Sequence, residues 1–141
     1  TRAYRKHLEA LEGKEVPDLS LYREDLFRVS HREYCTGFYF GKTEVEVPCQ
    51  TSYVEHHVFV GTVEQKIGNN LYELDVRNKI EVGKPIEYIG PAFPYKTDET
   101  FTLLSEEGLP LAKLSHGQKG YLCPSVPLEP GYILRSREET K

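Results

Sequence analysis

Methionine and tryptophan are missing altogether from the 141 residues. The chain opens at Thr1 inside a stretch that already reads as helix, where an intact product would start with Met and a looser leader. It is therefore expected to be a fragment, cut from the C-terminal end of a larger protein. No apolar run approaches the roughly 20 residues a membrane helix needs, and no secretory leader is visible. A cytoplasmic protein with no membrane partner is expected. Cysteine is scarce: Cys35, Cys49 and Cys123 form an odd set without CxxC spacing, which argues against a disulfide framework and fits a reducing compartment. Cationic excess is lacking too, with 18 Lys+Arg against 22 Asp+Glu and a net charge of −4. Bulk attraction to nucleic-acid phosphates is thereby excluded, so any such role must rest on a local patch. Gly-rich phosphate loops and GxSxG elbows are absent as well.

What is present suits one soluble domain, which at this size hides roughly 70% of its unfolded surface without help from metals or disulfides. Ten Tyr and six Phe, with frequent Thr and Val, favour strands over helices. Only the front end is helical in pattern. Tyr4, Leu8 and Leu11 recur at helical spacing, and Gly13 is a plausible stop. After Pro17, Asp18 or Ser20 can cap a second helix, in which Tyr22, Leu26 and Val29 line up at i, i+4 and i+7.

From Tyr34 onward the period becomes two. Residues 57–67 and 71–77 flank Gly68-Asn69-Asn70, a turn that tolerates positive φ, so a hairpin is predicted. Tyr72, Leu74 and Val76 should face the core and Glu73, Asp75 and Arg77 the other way. That even-numbered phase continues through Ile80, Val82, Ile86 and Tyr88, broken by a turn at Gly83 and Pro85. Further strands are predicted at 100–104, 109–114, 120–123 and 131–135. Short strands with close Gly/Pro punctuation suggest a mainly β fold, a small antiparallel barrel or a sandwich, preceded by one or two short helices. A barrel also removes exposed edges. The final residues, RSREETK, are expected to fray.

The densest segment is HREYCTGFYFG, His31 to Gly41. An imidazole, a guanidinium and a carboxylate precede a Gly-punctuated aromatic run, more than an amphipathic strand requires. This segment resembles the start of the C-terminal domain of the collagenase-like peptidase family, U-32 in the peptidase classification, whose signature reads HRE-aromatic-x-TGF-aromatic-FG. His57 to Val63 (HVFVGTV) is similar to the family's aromatic-x-FVG strand. Arg77 to Gly83 (RNKIEVG), followed by Pro85-Ile86-Glu87, is similar to its RNxFxVGDxxE strand and corner. Pro127 to Arg135 (PLEPGYILR) is similar to its closing segment. Lys84 departs from the pattern, standing where the family often has Asp, and residues 42–56, with Cys49 and His56, match nothing in it.

The resemblance implies residues 1–30 as a helical hinge from a missing upstream catalytic domain, 31–135 as a C-terminal β-barrel similar to a domain of translation elongation factors, and 136–141 as a frayed tail. Family members are classed as peptidases of unknown catalytic type, some linked to collagen degradation, and bacterial relatives are associated with hydroxylation of tRNA or ribosomal RNA. In both cases the chemistry belongs upstream, and fold alone does not establish function. The expected role is a non-catalytic accessory domain that helps position a macromolecular substrate, a protein or peptide, for the upstream domain. The alternatives are an RNA-binding module of an RNA-hydroxylation protein, acting on structured RNA, and a docking domain that contacts only its own parent or a second copy. His31, Arg32, Glu33, Tyr34, Phe38, Tyr39, Phe40 and Arg77 are the candidates for substrate or domain contact.

Sharper readings compete with these. Cys35 and His31 could form a thiol and its base, with Glu33 orienting the ring, but residues four apart on a strand sit about 13 Å apart; no catalytic residue is expected. His56 and His57 point to opposite faces of a strand, and no paired ligand spacing accompanies them, so neither metal nor cofactor is expected. The aromatics could stack bases while Arg32, Arg77, Lys79, Lys113 and Lys119 reach phosphates; against this, Phe38 and Phe40 would fill the core and Tyr39 would pack on the upstream domain. Asp98 and Glu99, like Glu106 and Glu107, fall in apparent turns and should be solvated.

Overall fold

The computed structural model describes residues 2–16, 18–31, 34, 39, 41, 57–91 and 95–137. The chain divides into two compact units, Thr1–His56 and His57–Lys141.

The first unit opens with two helices, α1 (Arg2–Leu11) and α2 (Leu19–Leu26). Gly13 ends α1 at φ +77°. The N–H of Gly13 bonds to Ala10 and that of Lys14 to Glu9, each at 3.0 Å, so two orphan carbonyls are satisfied by a left-handed residue that glycine supplies without strain. Asp18 caps α2, its carboxylate accepting the Ser20 N–H at 2.9 Å. Ala3 and Tyr22 are buried. The expected apolar stripe of α1 does make a helix, yet Tyr4, Leu8 and Leu11 lie exposed on it. Val29 falls beyond the end of α2.

The second unit is antiparallel throughout. Its strands are β1 (His57–Gly68), β2 (Leu71–Val76), β3 (Ile80–Glu81), β4 (Ile86–Ile89), β5 (Lys96–Asp98), β6 (Thr102–Leu104), β7 (Pro110–Leu111), β8 (Lys113–Leu114), β9 (Tyr121–Cys123) and β10 (Ile133–Arg137). Eight of them form one curled sheet in the order β5-β4-β10-β1-β2-β9-β6-β7, and β3 pairs with β8. The barrel expected from the sequence is thus present as a half-barrel. Its two end strands are only three and two residues long, and one carries Pro110, devices that blunt an open edge. The predicted hairpin forms at Asn69-Asn70, with Asn70 at φ +60°.

Three expectations about strand extents and phase need correction. The strand predicted over 109–114 splits at Ala112, because Leu111 pairs with β6 whereas Leu114 pairs with β3. Val82 leaves the buried phase: it lies past the end of β3, in the turn, and is 41% exposed. The last strand runs through Arg137, two residues into the stretch expected to fray.

The core collects the inward residues of nearly every strand, among them Val60, Val63, Tyr72, Leu74, Val76, Tyr88, Leu103, Leu122 and Leu134, with Phe101 beside them. The two tyrosines in this core satisfy their hydroxyls, as buried phenols must. The Tyr72 hydroxyl donates to Leu128 O at 2.9 Å, and that of Tyr88 donates to Asp98 at 2.9 Å.

The long strand β1 serves two partners. Its first half pairs with β10, and from Gly61 onward it pairs with β2. Gly61 and Thr62 pair with both, and just before them sits a bulge on Val60, whose carbonyl accepts both the Arg77 and Asn78 N–H groups at 2.8 and 2.9 Å. Beside it a Cβ on Gly61 would lie 2.2 Å from the backbone oxygen of Asp75. The requirement is space, and it is set by backbone. Gly61→Ala is expected to force β1 and β2 apart and to cost about 1–3 kcal/mol, as overpacking does. Urea unfolding checks it; a variant as stable as the parent would show that the two strands separate freely.

Candidate functional site

The residues singled out in the sequence fall in two places. In the first unit, Phe27, His31 and Tyr34 form an aromatic cluster just beyond α2. The His31 and Tyr34 rings stack with centroids 4.5 Å apart, and Phe27 meets each edge-on at 5.7 and 5.2 Å. The Tyr34 hydroxyl donates to Leu26 O at 2.6 Å, so it satisfies a carbonyl that the helix end leaves without an internal partner. These contacts give His31 and Tyr34 a structural task. Tyr39 is almost fully exposed. Arg32, Glu33, Cys35, Phe38, Phe40, Cys49 and His56 lie outside the described residues, so the proposed convergence of Cys35, His31 and Glu33 does too.

Arg77 belongs to the second unit. Its guanidinium holds Asp75 through Nε and Nη2, each 2.8 Å from Oδ2, and its carbonyl meets His116 Nδ1 at 2.8 Å. Next to it, Asn78 Nδ2 donates to Phe59 O at 2.8 Å. Both residues therefore fasten the bulge in β1. Glu87 and Arg135, 48 residues apart, meet as a half-buried to buried ion pair of 2.6 Å. The motif-like segments of the sequence are tied to one another by these contacts, which explains much of their residue content as architecture.

Among the described residues lies a concave feature that residue-by-residue reading missed. At the end of the half-barrel a cleft of about 580 Å³ opens where β1, β3, β4 and β10 come together. Its apolar lining is Val58, Ile80, Pro85 and Ile86, of which Ile80 and Ile86 are almost wholly buried in the core. Lys79, Lys84 and Arg137 line it with one carboxylate, Glu81. Glu81 lies between the two ammonium groups, 2.5 Å from Lys79 and 3.1 Å from Lys84, and their hydrogen bonds hold its carboxyl below the usual carboxylate range. Among the described residues that line it, three cations face one anion, in a chain whose net charge is −4. The hints in the sequence were Lys79, among the cations weighed for phosphate contact, and Lys84, the residue that breaks the resemblance at the β3–β4 corner.

A smaller cleft of about 350 Å³ is lined by Glu64, Glu73 and Asp75 with Lys119. Its carboxylates are engaged by Thr62, Gln65 and Arg77 respectively. Among the described residues no group of three or more His, Cys, Asp or Glu side chains is placed to hold a metal ion. Neither described helix is long and apolar enough to cross a membrane.

Residues 55–135 match the family model described as "Peptidase family U32 C-terminal domain". Among solved structures, the crystal structure of the C-terminal domain of a protein classed with the U32 peptidases in Geobacillus thermoleovorans is 25% identical. That match covers 57% of this chain and 92% of the other, with a TM-score of 0.46. The selenomethionine form of the same domain gives 24% identity over 56% and 99% of the two chains and a TM-score of 0.47. The comparison with curated proteins found no match.

Proposed function

Because the chain belongs to peptidase family U32 through that family's C-terminal domain, we propose that it is a non-catalytic accessory domain that positions a macromolecular substrate for an upstream catalytic domain. The observation that carries the reading is the cleft: a cationic rim on an apolar floor, built largely from residues 78–86. Such a surface can hold an extended chain by its side chains, and the described residues around it bring no nucleophile and base together. A second reading, an RNA-binding module, draws on the same three cations.

Two measurements test the proposal. The isolated chain is expected to leave gelatin and short peptides intact; cleavage that disappears in Cys35→Ala would overturn the non-catalytic role. Behind a catalytic domain of the family, deleting this unit should raise KM for a macromolecular substrate about tenfold, the equivalent of roughly 1.4 kcal/mol of binding, and leave turnover of a short substrate unchanged. An unchanged KM for the macromolecule would sink the positioning role.

A further inference from the structure

We infer that the cleft at the end of the half-barrel takes an extended acidic peptide, in which an aliphatic side chain seats on the floor between flanking carboxylates. This rests on the positioning role proposed above and names the class of ligand. Charge complementarity is the first argument. Lys79 and Lys84 are about half exposed, and Arg137 adds a third cation, with Glu81 the one carboxylate among the described lining residues. The second argument is the floor, where Val58 and Pro85 offer aliphatic surface and the core residues Ile80 and Ile86 complete the lining. A peptide side chain of that kind gains by burying its apolar surface there.

The same lining weighs against RNA. No aromatic ring is among the cleft residues, and stacking on such rings supplies much of the affinity for single strands. Glu81 also stands between the two lysines, where it would repel a phosphate and weaken their joint hold on it. A peptide carboxylate meets the same repulsion, but it needs only one lysine, and the apolar contact makes up the remainder.

The test is a titration of the ¹⁵N-labelled chain with the peptide acetyl-Asp-Glu-Leu-Glu-Asp-amide, with acetyl-Lys-Lys-Leu-Lys-Lys-amide as control and unfractionated tRNA as a third ligand. The acidic peptide should shift the amide resonances of Ile80, Glu81, Lys84 and Arg137, and the basic one should not. The Lys79→Glu/Lys84→Glu double variant, at exposed positions, should weaken binding at least about tenfold, equivalent to roughly 1.4 kcal/mol. Glu81→Gln should tighten it severalfold, a direction that partial unfolding cannot mimic. Shifts absent from the cleft, or equal shifts with the basic peptide, overturn the inference. If tRNA perturbs the cleft and the acidic peptide does not, the peptide assignment falls while the positioning role stands. If KM for a macromolecule is unaffected by deleting the unit, that role falls whatever the cleft binds.

Discussion

Replacing Arg135 by alanine should destabilise the half-barrel by about 3–5 kcal/mol, the usual cost of removing one partner from a buried ion pair. Leu134 points into the core, so its neighbour Arg135 points to the opposite face of β10. A charged side chain there would normally meet water. Instead the Arg135 side chain is only 6% exposed. Glu87 lies directly across on β4, with Nε and Oε2 2.6 Å apart. The Tyr95 ring covers the guanidinium at 5.2 Å, a cation–π contact on top of the ion pair. Truncation to alanine strips that cover and leaves the mostly buried carboxylate of Glu87 without its guanidinium. Urea unfolding should show a lower midpoint at an unchanged slope. Arg135→Met combined with Glu87→Met removes both charges while keeping volume, and it should recover most of the loss. A single variant within about 1 kcal/mol of the parent would mean that water already screens the pair.

That pair also shows where sequence reading stopped. Local signals carried far: period-two alternation placed Tyr72, Leu74 and Val76 in the core, and Gly-Asn-Asn marked the hairpin, because both depend on neighbours in the chain. The segments RNKIEVG and PLEPGYILR could be matched to a family but not to a purpose. Their purpose is contact across the fold: Asn78 to Phe59, and Arg135 to Glu87. The space demanded at Gly61 likewise comes from Asp75 on another strand. The cleft is the extreme case, since it gathers Val58, residues 78–86, Ser136 and Arg137 from both ends of the unit. Charge counted along the chain hides it, because a net −4 says nothing about three cations brought to one end of a sheet. Of the residues singled out for contact, His31 and Tyr34 pack together beyond the end of α2 and Arg77 bonds the bulge in β1.

Asp98 is the sharpest correction, and it leads to a second large effect. Its position after Lys96-Thr97 and before Glu99-Thr100 reads as a solvated turn, yet it is 2% exposed. Oδ2 accepts the Tyr88 hydroxyl at 2.9 Å and the Ser125 N–H at 2.7 Å, while Oδ1 accepts the Thr100 N–H at 2.9 Å. One carboxylate thus joins β4, the turn after β5 and the loop after β9, and it anchors β5, an end strand of three residues. Asp98→Ala leaves four donors without their acceptor, the Thr100 hydroxyl at 3.3 Å being the fourth and the Tyr88 hydroxyl the most buried. At about 1–3 kcal/mol for each unsatisfied group, a loss of roughly 3 kcal/mol or more is expected, with β5 the first element to lose amide protection. Asp98→Asn keeps the shape but turns an acceptor into a donor facing donors, so it should also destabilise. Burial by itself would raise the carboxyl's pKa; the Ser125, Thr100 and Tyr88 hydrogen bonds outweigh it and hold the group below its ordinary 3.8. A carboxyl depressed on folding stabilises fully above its unfolded value, and that contribution fades as pH falls through the folded one. The stability gap between the parent and Asp98→Asn should therefore hold steady from pH 7 to about pH 5 and shrink below about pH 4. Urea midpoints measured across that range decide it, and a gap that widens with acid would mean that Asp98 is neutral in the folded chain.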